Sequence, residues 1–72
     1  MIYTIPVSAS HAVRIEADSV DAAGERMGII YAEHMHAQGR SWHGVEVAFV
    51  IVDESGTPFE VIVTLQDKER MN

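Results

Sequence analysis

Apolar residues recur along the chain in two rhythms, one of period two and one of period 3.6, and the switches between them mark out the elements. Residues 2–7 alternate, with Tyr3, Ile5 and Val7 on one face. Pro6 has no amide to give to a neighbouring strand, so it predicts an edge position. Ser8, Ala9 and Ser10 supply a turn, and residues 11–17 alternate again, with Val13, Ile15 and Ala17 inward and Arg14 and Glu16 outward. The pattern leaves open whether residues 2–17 form two strands or one long bent one.

The rhythm then lengthens. Residues 19–38 read as one helix whose inner side carries Val20, Ala23, Met27, Ile30, Tyr31, His34 and Met35. Asp18 and Ser19 provide the N-cap, Asp21 lies in the first turn where the helix dipole favours an acid, and Gly39 ends the helix. Small residues at Gly24, Gly28 and Ala32 form a seam beside the apolar arc. Each interior glycine costs about 1 kcal/mol relative to alanine, so the seam needs a use. Close packing on a sheet, against large residues such as Phe49 and Phe59, is one; a helix-to-helix dimer contact is the other.

Residues 40–44 form a loop with Trp42 and His43, and residues 45–52 give the strongest strand signal in the chain. Val45, Val47, Phe49 and Ile51 fill its inner face, while Glu46, Ala48, Val50 and Val52 make the outer face only partly polar. Residues 53–57, Asp-Glu-Ser-Gly-Thr, read as a hairpin connection. Residues 59–65 return with Phe59, Val61, Val63 and Leu65 inward, and residues 66–72 form a charged tail. The expected fold is α+β: a ββαββ order giving an antiparallel sheet of about four strands with one long helix packed on one face. All 72 residues belong to one domain, with its core in residues 2–65.

Composition narrows the function classes. A hydrophobic content of 47% is enough for a core, which argues against disorder. Without cysteine there is no disulfide and no thiolate nucleophile or ligand. No apolar run approaches the length of a bilayer span, and the first residues lack the basic start and apolar stretch of a signal peptide, so we expect a cytoplasmic protein with no membrane contact. Eleven acidic residues against five basic ones give a net charge of −6, which disfavours direct nucleic-acid binding and favours a basic partner or simple solubility.

No catalytic or metal-binding apparatus stands out. His34 and His36 lie about 200° apart around a helix and cannot chelate one ion together; His11 and His43 would have to reach them through the fold. His34 is expected at the edge of the core. Ser41 and His43 lack a third partner and an oxyanion turn, and no glycine-rich phosphate loop is present. We therefore expect no enzyme activity, no cofactor and no metal. Trp42 is expected to close one end of the core. What remains is surface. Asp21, Glu25 and Glu33 give the outer helix an acidic character, Ile29 is an apolar residue among them, and Asp53 and Glu54 add charge at the second hairpin. An apolar centre ringed by charge suits a protein contact.

The order of an initial strand region, then Ala17-Asp18-Ser19-Val20-Asp21-Ala22-Ala23, then Trp42-His43-Gly44-Val45, then Asp53-Glu54-Ser55-Gly56-Thr57, resembles small proteins of phages and mobile elements. Among these it is similar to type I anti-CRISPR inhibitors, which set one helix on a small antiparallel sheet. The resemblance covers residues 2–65 as a pattern of elements, not as a shared motif, and no binding residue carries over from it. It implies inhibition by surface binding, on the basic nucleic-acid channel or a subunit surface of a CRISPR effector complex. Asp21, Glu25, Ile29, Glu33, Asp53 and Glu54 form the expected contact surface. The alternative is a non-enzymatic homodimeric structural or regulatory module, joined through the open sheet face or the Gly24/Gly28 seam.

Overall fold

The structure, a computed structural model, describes residues 1–66. Residues 2–17 form two strands, β1 (Ile2–Pro6) and β2 (Ala12–Glu16). The helix α1 (Val20–Ala37) follows, and then β3 (Glu46–Val52) and β4 (Pro58–Thr64). The sheet order is β2-β1-β3-β4, and every neighbouring pair is antiparallel. Of the charged tail expected over residues 66–72, residues 67–72 lie outside the described residues. Among the described residues no helix is long and apolar enough to cross a membrane.

The helix is fixed at both ends by local chemistry. The Ser19 hydroxyl accepts the Ala22 amide at 3.1 Å, satisfying one of the donors that the first turn leaves free. At the other end Gly39 takes φ +71°, so that its amide reaches the His36 carbonyl and the Arg40 amide reaches that of Met35. This is the paired 5→2 and 6→1 closure that a left-handed residue makes possible. Between these caps the helix runs unbroken through Gly24 and Gly28.

Strand alternation sends Tyr3, Ile5, Ile15, Phe49 and Ile51 to the covered face, where all are buried with Ala17, Ala23 and Met27. A smaller cluster of Ala32, Met35 and Leu65 lies towards the C-terminal end of α1, with Trp42 packed against it as the sequence predicts. Tyr31 joins the two clusters, and its ring meets Phe49 edge-on, with centroids 5.7 Å apart.

Several details depart from expectation. Pro6 does not mark an edge, because β1 is an interior strand. Even-numbered residues of β1 point their backbone groups toward β3, as Ile2 does toward Glu54, and β1 pairs with β3 only at Thr4↔Val52. Pro6 lies past that pairing, so its missing amide breaks no ladder bond. Val7 and Val45 lie just outside the strands and are exposed.

The larger correction is the rotation of α1. Its buried residues are Ala23, Gly24, Met27, Gly28, Ala32 and Met35, so the seam of small residues faces the sheet and does not flank the core. Relative to the expected arc the helix is turned by about half of its 100° residue step. Ile30, at 41% exposure, and His34 rotate outward as a result. The seam accommodates β4 valines, not the two phenylalanines. A Cβ on Gly28 would stand 2.7 Å from Val63 Cγ1, and one on Gly24 would stand 3.0 Å from Val61 Cγ1. Phe49 lies under Tyr31, and Phe59 is exposed at the turn end of β4. Because the seam is buried in this way, it is not available as a dimer contact.

Candidate partner-binding surface

The helix covers one face of the sheet and leaves a groove along its flank. Asp21, Glu25 and Ile29 fall at i, i+4 and i+8, one above another on the side of α1 nearest β4. Gly28 lies next to this line, and with no side chain there the helix settles low on Val63. The resulting groove, about 460 Å³, is open to solvent and lined by Asp21, Glu25, Gly28, Ile29 and residues 61–66 of β4 and the segment after it. Its walls are mixed in a specific way: valine, isoleucine and leucine from β4 and its continuation on one side, two carboxylates and Ile29 on the other.

Of the six residues expected to form a contact surface, three therefore come together. Glu33 continues the i,i+4 series, but each step of four residues turns about 40° further round the axis, and it does not line the groove. Asp53 and Glu54 lie at the β3–β4 turn and bond within the fold. Asp53 Oδ1 accepts the Ser55 hydroxyl at 2.7 Å, the Ser55 amide at 2.9 Å and the Thr57 amide at 3.0 Å. The Ser55 hydroxyl, and then the Thr57 amide, hold the Asp53 carboxyl below its ordinary pKa, because they bond its ionised form. Gly56, at φ +87°, supplies the left-handed residue that closes this turn. Glu54 Oε2 accepts the Ile2 amide at 2.9 Å, tying the turn to β1.

The groove carboxylates have no such partners among the described residues. Among the described residues the one ion pair joins the Met1 amino group to Glu16, so neither Asp21 nor Glu25 is neutralised by a neighbouring cation. Glu16, which bonds it directly, raises the pKa of that amino group. Among the described residues, no three histidine or carboxylate side chains converge as a metal ion would require. Among the described residues no polar or charged side chain is buried.

Among the described residues nothing covers the opposite face of the sheet. Ile62 is 67% exposed and Val50 47%, and Ile2 shares their face. The alternation places Val50 and Val52 on this face but gives β4 no special place. Its edge position depends on strand order, which no local pattern encodes.

The arrangement defines a small α+β domain, an antiparallel ββαββ sheet with one covered face and a groove between its helix and an edge strand. No family model matches the chain, and neither curated proteins nor solved structures show a detectable similarity to it.

Proposed function

We propose that the protein acts by stoichiometric binding of a protein partner with a basic surface, not by catalysis. One observation carries this reading: Asp21, Glu25 and Ile29 share an open groove in which neither carboxylate forms an ion pair with another described residue. Opposite charge on a partner speeds encounter and fixes orientation, while apolar contacts slow dissociation. The net charge of −6 points the same way and against direct contact with nucleic acid.

In its narrower form the partner is a CRISPR effector complex whose basic nucleic-acid channel the protein occupies. That step rests on the resemblance to type I anti-CRISPR inhibitors. A mobility-shift assay with a purified type I effector complex and its target DNA tests it. Stoichiometric loss of DNA binding, relieved by Asp21→Lys with Glu25→Lys, supports the narrower form, and undiminished DNA binding rejects it. For the broader form, charge reversal at the same two residues should weaken binding to a basic partner and flatten its salt dependence without unfolding the domain. Unchanged affinity rejects it.

A second reading has its own support in the bare sheet face. Ile62 and Val50 are exposed where a second copy of the chain could bury them. Solution mass at low concentration separates the two: a stable dimer that Ile62→Lys dissociates favours a homodimeric module.

A further inference from the structure

We propose that the partner is gripped as an added β-strand along the free edge of β4, by an extended segment in which Lys or Arg alternates with apolar residues. This inference rests on the binding reading above and gives the partner's recognition element a chemical form.

Hydrogen-bond parity makes the edge available. In an antiparallel ladder, alternate residues turn both backbone groups to the same neighbour. Thr57 and Leu65 bond toward β3, through Asp53 and Val45, so the odd-numbered residues of β4 face inward. Glu60, Ile62 and Thr64 therefore present amide and carbonyl to the outside. Among the described residues no strand pairs with that side of β4. β4 is seven residues long, has no lysine and no proline after Pro58, and carries one charged residue, Glu60. The other edge strand, β2, is shorter, at five residues, whereas the groove runs beside β4.

The groove then specifies the side chains. A strand pairs about 4.8 Å from its neighbour and sends alternate side chains to opposite faces. Those on the helix side would enter the groove, pass Gly28 and Ile29, and end beside Asp21 and Glu25. A lysine or arginine fits this, because its stem packs on apolar surface while its cation reaches a carboxylate. On the other face β4 presents Glu60, Ile62 and Thr64, and the side chain beside Ile62, the most exposed large apolar residue described, would be apolar. Charge decides against a second copy as the occupant. It would bring another −6 and the same groove carboxylates to the contact.

The probe is an end-capped Lys-Val-Lys-Val-Lys-Val peptide titrated into the ¹⁵N-labelled full chain. The expected result is saturable binding with hydrogen-exchange protection appearing at the Glu60, Ile62 and Thr64 amides. Affinity should fall about tenfold or more in Asp21→Asn with Glu25→Gln, in Ile62→Pro, and for a peptide with proline at its central valine, which needs no altered protein. A Glu-Val peptide should not bind. Absence of saturable binding overturns the inference. So does tight binding of the Glu-Val peptide, or protection of those amides before any peptide is added. If the lysine peptide binds but the three amides stay unprotected, strand addition is wrong while the acidic binding surface survives. If it binds the Asp21/Glu25 variant undiminished, the groove has no part in charge recognition.

Discussion

The two faces of the sheet are built from the same strands and by the same alternation, yet they meet different fates. On β3, Phe49 and Ile51 lie under the helix, while Val50 between them faces solvent. Ile51 and Val50 differ by one methylene in size, so intrinsic hydrophobicity does not separate them. What separates them is the single helix, which can cover only one side. Apolar area on the covered side has already left water and contributes roughly 25 cal/mol per Å² to folding; on the bare side the same kind of area remains available for association. One face stores stability and the other stores binding potential.

The sharpest break in that comparison is a truncation on each face. Ile51→Ala should cost about 2–5 kcal/mol, because Ile51 is 0% exposed and its loss leaves a cavity. That is a large share of the ~4–11 kcal/mol that a chain of 72 residues is expected to hold. Val50→Ala should stay within about 0.5 kcal/mol. Urea denaturation of both measures the asymmetry, and equal losses would remove it.

Next in size is the seam that sets the helix on the sheet. Gly28→Ala gains about 1 kcal/mol of helix propensity but drives a Cβ to 2.7 Å from Val63 Cγ1, and overpacking of this kind costs ~1–3 kcal/mol. We expect a net loss of about 1 kcal/mol, and a smaller one for Gly24→Ala, where the contact is 3.0 Å. Val63→Ala should offset part of the Gly28→Ala loss in a double-mutant cycle, whereas simple additivity would show that the close approach is not what costs.

The cap comes third. Ser19→Ala removes the acceptor for the Ala22 amide and should cost about 1 kcal/mol, read as a lower midpoint at unchanged denaturant slope. A changed slope would mean that the helix had partly left the covered face.

The smallest effect belongs to the turn that joins both faces. The Asp53 pKa is lowered from its ordinary 3.8, so its stabilisation is complete above the unfolded-state value and lost as pH falls through the lower folded-state value. Asp53→Ala should therefore be less stable than the wild type at pH 7, with the gap closing below pH 3.8. A gap constant with pH would show that the carboxylate charge plays no part.

Much of this fold is legible in the chain because its causes are local. The period-two runs place β1, β2, β3 and β4, Ser19 and Gly39 delimit α1, and Asp53 to Thr57 marks the hairpin, each by backbone geometry and neighbouring donors. Exposure of Ile29, and the clustering of acids on its side of the helix, also follow from the 100° step alone. The rotation of α1 about its axis does not follow from it. Counting apolar residues centres the arc near Met27, but the energy depends on how closely two backbones can approach, and Gly24 and Gly28 bring the helix down on Val61 and Val63. Strand order likewise belongs to the assembled sheet. It made β1 interior despite Pro6, put β4 at an edge, and so joined Asp21, Glu25 and Ile29 to a strand some forty residues away in one groove. The sequence determined which surfaces are apolar and which are acidic; only packing between distant segments decided which of them stand side by side.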